Sequence, residues 1–327
     1  MKTALSTLLN IEFPVIMAPM FLVTNVEMMV AAGESGITGC IPALNYRTIE
    51  DLKVALREIK DRSKAPLGVN LIVNKSNIHW KKQLHQCLDS GVDYFLTSLG
   101  SPEEVIRESR KTGAKVFCDV VDVKYARKVE DLGADGVVAV NSGAGGHRGE
   151  IPATVLVPLL KSKCKIPVIA AGGVGTGSGI LSMLALGADG VSIGSPYIPT
   201  HESGVNTEYK QACIQYGAED IVATNKISGT PCTVINTPYM KKIGTDQNAV
   251  EVFLNHNRKL KKYAKMLTAY RGMKMLEKAA FSATYNTIWV AGSSIEFSHE
   301  MLSVKQVTEK LKTEFHEAHK ALITTLG

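Results

Sequence analysis

A (β/α)8 barrel is the fold this sequence predicts, on three observations: eight short apolar runs, helical periodicity between them, and a glycine joint that recurs where helices should end. The runs are Pro14 to Ala18, Ile37 to Ile41, Leu67 to Leu71, Tyr94 to Thr97, Lys115 to Cys118, Gly136 to Val140, Pro167 to Ala170 and Gly190 to Ile193. They are rich in Val, Ile, Leu, Phe and Ala without polar alternation, as parallel strands buried on both faces require. Between them, Ile49 to Arg62, Lys81 to Ser90, Pro102 to Lys111, Val123 to Leu132 and Thr154 to Ser162 read as helices. The joints are Ser90-Gly91-Val92-Asp93, Thr112-Gly113-Ala114-Lys115, Leu132-Gly133-Ala134-Asp135 and Leu186-Gly187-Ala188-Asp189. Each glycine falls where a helix ends and the backbone often turns left-handed. Successive runs lie about 21 to 30 residues apart, which suits a β-loop-α-loop unit. An open doubly wound sheet usually has fewer strands and often a glycine fingerprint after the first. Here the first run leads into Ala18-Pro19-Met20.

After about Ser203 the rhythm stops. Asn248 to Ala283 reads as helix, made strongly basic by Arg258, Lys259, Lys261, Lys262, Lys265, Arg271, Lys274 and Lys278. Val304 to Leu326 has the length of a covering helix that returns to the barrel. The expected division is a barrel over 1–204, an inserted helical subdomain over 205–287 and a returning C-terminal segment over 288–327.

Composition narrows the class. A chain of 327 residues, 45% hydrophobic and 21% charged, is neither disordered nor fibrous. A net charge of +6 permits anionic ligands and gives no reason to expect nucleic acid. Cys40, Cys87, Cys118, Cys164, Cys213 and Cys232 are scattered, without a CxxC pair, and read as reduced thiols. No cluster of His, Cys and carboxylates has metal spacing. Met1 to Asn10 lacks a leader pattern and no window of about 18 apolar residues occurs, so a cytoplasmic protein without a membrane segment is expected.

In a barrel, chemistry belongs beyond the C-terminal strand ends, with phosphate commonly held by the loops after the last two strands. Those loops read Ala171-Gly172-Gly173-Val174-Gly175 and Gly194-Ser195-Pro196, and the helix from Gly177 offers a positive N-terminus. The sixth run leads into Asn141-Ser142-Gly143-Ala144-Gly145-Gly146-His147-Arg148-Gly149-Glu150. His147 is a proton carrier suited to neutral pH, and the glycines leave room for a flat ligand beside it. Arg148 reads equally as an anion contact or a solvated charge. Met20, Asn70, Ser98 and Asp119 stand at other strand ends. Asn70 suits the polar edge of a heteroaromatic ring. Asp119 suits a ring N–H or a ribityl hydroxyl, or caps the following helix.

Ala18-Pro19-Met20, Gly68-Val69-Asn70, Ala144-Gly145-Gly146-His147-Arg148-Gly149, Ala170-Ala171-Gly172-Gly173-Val174, Ile193-Gly194-Ser195 and His201-Glu202-Ser203 together resemble, in order and spacing, the nitronate monooxygenase family, formerly the 2-nitropropane dioxygenases. The likeness covers about residues 10 to 205. It implies non-covalent FMN, with phosphate on Gly172, Gly173, Gly194 and Ser195 and the ring near Met20, Asn70 and His147; Ala18, Pro19, Asp119, Gly145 and Gly146 complete the expected cofactor-binding set. It further implies that a nitronate and O2 give a carbonyl compound and nitrite, with His147 as base for neutral nitroalkanes or as a positive partner to the nitronate. The sequence departs from the family at Ala291-Gly292-Ser293, where related members carry Ala-Gly-Gln, and after Ser228-Gly229-Thr230-Pro231, where an arginine is absent.

The same barrel and histidine occur in flavin-dependent enoyl-acyl-carrier-protein reductases and NAD(P)H:quinone reductases, so NAD(P)H and an acyl carrier protein are the alternative partners. The basic stretch from Arg258 to Lys278 suits an acidic carrier, although a solvated helix face is the better explanation.

Overall fold

The computed structural model describes residues 1–74, 77–225, 231–245 and 288–326. Eight parallel strands form its centre: β1 (Val15–Met17), β2 (Thr38–Pro42), β3 (Leu67–Ile72), β4 (Tyr94–Ser98), β5 (Lys115–Val120), β6 (Gly136–Val140), β8 (Val168–Ala171) and β9 (Gly190–Ile193). They close in chain order, with Val15 of β1 paired to Val191 of β9. β7 (Gly146–His147) lies outside the barrel. The surrounding helices are α2 (Val26–Glu34), α3 (Ile49–Arg62), α4 (Trp80–Asp89), α5 (Glu103–Ser109), α6 (Val123–Leu132), α7 (Ala153–Lys163) and α8 (Gly177–Ala185).

The joints explain the repeat. Gly91, Gly113, Gly133 and Gly187 all take positive φ, between 67° and 99°, as the left-handed reading requires. The aspartates have a second use. Asp93, Asp135 and Asp189 accept from the backbone N–H of Leu67, Val116 and Val168 at 2.8, 2.9 and 2.8 Å. Each thereby ties the start of one strand to the strand before it. Lys161 reaches Asp189 at 2.8 Å on the outside.

Residues pointing inward fill the barrel: Ile16, Cys40, Tyr94, Leu96, Phe117, Val138 and Ile169 form one buried cluster. Tyr94 and Phe117 meet edge to face at 5.8 Å. Glycines opposite them make room, since a Cβ on Gly68 would lie 2.1 Å from the Tyr94 ring and one on Gly136 2.8 Å from Phe117. The Tyr94 hydroxyl donates to Gly39 O at 2.7 Å. Helix α1 (Ala4–Leu9), not anticipated from the sequence, stoppers the N-terminal end by placing Leu5 and Leu9 in this cluster.

Beyond β9 come α9 (Thr207–Gln215), β10 (Ile221–Thr224), β11 (Cys232–Ile235) and α10 (Pro238–Ile243). The described part of 205–287 is therefore mixed, where the sequence suggested helix alone. β10, β11 and β7 form an antiparallel sheet. The basic stretch expected at Asn248 to Ala283 lies outside the described residues. Helix α11 (Val304–Leu326) packs on α8 and α2, filling the eighth helical position of the ring. Its Phe315 meets Phe13 edge to face at 5.5 Å. All six cysteines are buried and unpaired. Among the described residues no helix is long and apolar enough to cross a membrane.

Candidate active site

The C-terminal mouth of the barrel divides into two arcs. One is built from β3, β4 and β5. Asn70, at the end of β3, is 7% exposed, and its amide nitrogen donates to Leu96 O at 3.0 Å and to Ser98 Oγ at 2.9 Å. Ser98 Oγ in turn donates to Asp119 Oδ2 at 2.5 Å. Asp119 is only partly exposed, and the surrounding protein pushes its pKa up from 3.8 to about 7, against the opposing hydrogen bond from Ser98. Asp119 does not cap the next helix, because Asp122 does so by accepting from Tyr125 N at 2.7 Å.

The second arc joins the loops after β6, β8, β9 and β1. Asn141, buried at the end of β6, accepts from Gly143 N at 2.7 Å and donates to Gly172 O at 3.0 Å, so one side chain sets two loops. Gly172 has φ +115°, and a Cβ there would lie 2.4 Å from Ala144 N. Gly173 has φ +76° and faces open space, its Cβ position meeting only Gly143 Cα at 3.8 Å. Next to Gly194, a Cβ would reach Met20 Sδ at 3.4 Å and Ala18 Cβ at 3.5 Å, which places the β1 and β9 ends side by side. Thr24 fixes the Ala18-Pro19-Met20 turn by accepting from Met20 N at 3.0 Å and donating to Ala18 O at 3.1 Å.

The backbone N–H groups of Gly172, Gly173, Gly194 and Ser195 donate to no protein group among the described residues. Four free donors on glycine-lined turns suit a phosphate. The N-terminus of α8 contributes less than the sequence suggested. Thr176 accepts from Gly179 N at 3.0 Å, and the Glu314 carboxylate accepts from Gly177 N at 2.8 Å. An acidic side chain already sits where an anion would approach.

His147 stands on β7, held by pairing to Cys232 of β11. Thr233 reinforces the hold by donating to Ala144 O at 2.7 Å. The ring is exposed at the rim, yet the protein packed around it disfavours its charged form, so its pKa falls below 6.5. Arg148 turns back on its own loop and donates to Ser142 O at 3.3 Å, so it is not simply a solvated charge. Gly145 and Gly292 touch closely. A Cβ on Gly145 would lie 2.7 Å from Gly292 N, and that N–H donates to Ser195 Oγ at 2.8 Å. Ser195 keeps its own proton to donate elsewhere.

Sequence reasoning therefore collected most of both arcs and missed Asn141, Thr24 and Gly292, while Ser98 was noted without its bridging role. Asn141, which precedes Ser-Gly at a strand end, carries the signal of a side chain that folds onto its own turn. Thr24 and Gly292 carry none. No cluster of metal ligands occurs among the described residues. An open concavity of about 900 Å3 lined by Lys2, Leu8, Asp135 and Asp189 lies at the N-terminal end, away from these groups.

The closed barrel with these loop glycines and a rim histidine defines a class of oxidoreductase barrels. Residues 72–314 match the nitronate monooxygenase family, and the chain belongs to that family. It is 30% identical over 279 residues to a probable nitronate monooxygenase of Staphylococcus haemolyticus, covering 71% of this chain and 78% of that protein. It is 29% identical over 252 residues to the (3aS,4S,5R,7aS)-5-hydroxy-7a-methyl-1-oxo-octahydro-1H-indene-4-carboxyl-CoA dehydrogenase of Mycobacterium tuberculosis, covering 76% and 70%. The solved structure of FabK from Thermotoga maritima superposes with a TM-score of 0.86 at 28% identity over 100% of both chains.

Proposed function

We propose that this oxidoreductase is an FMN-dependent nitronate monooxygenase that converts alkyl nitronates and O2 into a carbonyl compound and nitrite. The observation that carries the reading is a rim histidine of lowered pKa set beside a cradle of free amides, in a chain of this family. The cradle fits the phosphate of FMN: Gly172, Gly173, Gly194 and Ser195 would hold it through backbone N–H groups. Met20, Asn70 and Asp119 would line the ring, with Ala18, Pro19, Gly145 and Gly146 leaving space for its faces. FMN, once bound, supplies the electron-accepting chemistry. His147, neutral at pH 7, is placed to remove the α-proton of a neutral nitroalkane at a ring nitrogen. With a nitronate already formed, only its positioning role remains.

A second reading is favoured by the carboxyl-CoA dehydrogenase relative, which is as similar as the nitronate monooxygenases. On that reading this protein is an FMN-dependent NAD(P)H reductase acting on an acyl thioester or a quinone, with an acyl carrier protein among its partners. Anaerobic mixing of the yellow protein with a nitronate, NADH or NADPH separates the two. Bleaching by nitronate supports the first reading. Bleaching by pyridine nucleotide alone transfers the assignment to the second.

A further inference from the structure

Asp119 is a titratable group at the mouth, placed beside the ring by the first reading but given a proton by neither. Its surroundings determine which atoms are available. Leu96 O is purely an acceptor, so the Asn70 atom beside it is the amide nitrogen, and both of its protons are committed, to Leu96 O and Ser98 Oγ. Ser98 Oγ receives one of them, so its single proton goes to Asp119 Oδ2. The chain runs in one direction only. Among the described residues it leaves Asn70 Oδ1 as an acceptor with no partner and Asp119 Oδ1 as the oxygen without a hydrogen bond, neither shut off from solvent.

The titratable groups that face Asp119 are Cys40 on β2, Cys118 on β5 and Tyr125 on α6. Burial holds all three neutral, with their pKa values raised. No cation pairs with Asp119 among the described residues. The oxidised flavin ring offers one N–H donor against several nitrogen and oxygen acceptors, and Asn70 Oδ1, which no protein donor occupies among the described residues, is free to take that donor. A second fixed acceptor beside it would face acceptors.

Resting on the FMN reading above, we propose that Asp119 takes up a proton from solvent when the flavin binds, so that Oδ1 donates a hydrogen bond into the site and cofactor binding is coupled to proton uptake. The carboxyl starts near neutrality, with a pKa of about 7. A dianionic ligand brought into the same mouth raises it further by charge alone.

The test uses the full-length protein freed of flavin and titrated with FMN, followed by quenching of FMN fluorescence between pH 7 and 9. In that window the phosphate, with a second pKa of about 6, is already a dianion. His147 lies below the window and the three neutral neighbours above it. The Kd of the native protein is expected to rise by up to about tenfold per pH unit above the break, since the complex holds one proton more. Asp119→Asn, which keeps a donor without a titrating proton, should give a flat profile and bind more tightly than the native protein at pH 9. Ser98→Ala removes the bond that favours the ionised form, so its break should move to higher pH. A flat native profile, or an Asp119→Asn variant weaker at every pH, would show a carboxylate accepting from the ligand and overturn the proposal. Tight FMN binding with such a profile leaves the cofactor reading intact, whereas failure to take up FMN at any pH removes both.

Discussion

His147 owes its properties to two different neighbourhoods. Its backbone is held by a strand pair, while its ring meets the walls of the mouth, and desolvation there lowers its pKa below 6.5. The sign follows: the neutral, proton-accepting form persists to lower pH than for an ordinary histidine. The acid limb of the pH–rate profile for a neutral nitroalkane is therefore expected to lie at lower pH than an ordinary histidine base would give, and a limb at or above the ordinary position would count against the lowered pKa. His147→Ala should retain FMN, lose about 10²-fold or more on a neutral nitroalkane and lose less on preformed nitronate. Equal losses would make His147 a binding residue alone. Gly173→Leu places a side chain where only Gly143 Cα lies near, in a backbone of φ +76° that leucine resists. Flavin occupancy of the purified variant should fall severalfold, and full occupancy would move the phosphate elsewhere. At this scale the sequence was informative wherever a residue type is unusual for its place, as with a histidine among glycines. Gly292, and the hold of Asn141 on Gly172, were hidden because they arise from loops that meet only in space.

Among the elements, the barrel strands were legible to within a residue or two, because each is buried on both faces and reads as an unbroken apolar run. β10 and β11 were not. Four residues each, they pair antiparallel with one another, and β11 pairs on its other edge with a loop some ninety residues earlier in the chain, where no local pattern announces a partner that distant. Their contribution can be measured. Thr233→Val keeps the shape but leaves Ala144 O without its donor, and is expected to cost about 1–3 kcal/mol in urea unfolding. Turnover of neutral substrates should fall with it, because β7 carries His147. The α8–α11 contact offers a second test. Glycine to alanine within a helix ordinarily stabilises by about 1 kcal/mol. At Gly177 a Cβ would lie 2.0 Å from Phe315 N and 2.4 Å from Leu311 O, whereas at Gly179 the nearest atom is Thr176 Oγ1 at 3.3 Å. Gly177→Ala should therefore lower Tm by several degrees, whereas Gly179→Ala should leave it unchanged or raise it slightly. Equal effects would mean that α11 packs elsewhere.

Across the whole molecule, the eightfold count followed from the sequence, but the stagger of the interior did not. It depends on Gly68 and Gly136 standing across from Tyr94 and Phe117, a relation between neighbouring strands that spacing along one strand does not reveal. The segment from Ile288 onward gives the ring its eighth helix and lays Gly292 against Gly145 and Ser195. This fixes an order of assembly. During synthesis all eight strands leave the ribosome about a hundred residues before the piece that completes their mouth. A nascent chain halted short of 288 is expected to hold the strands yet retain no FMN, and extending it past 326 should restore retention in a single step. On the FMN reading, that outcome would make cofactor capture a timer of translation, tripped when α11 emerges.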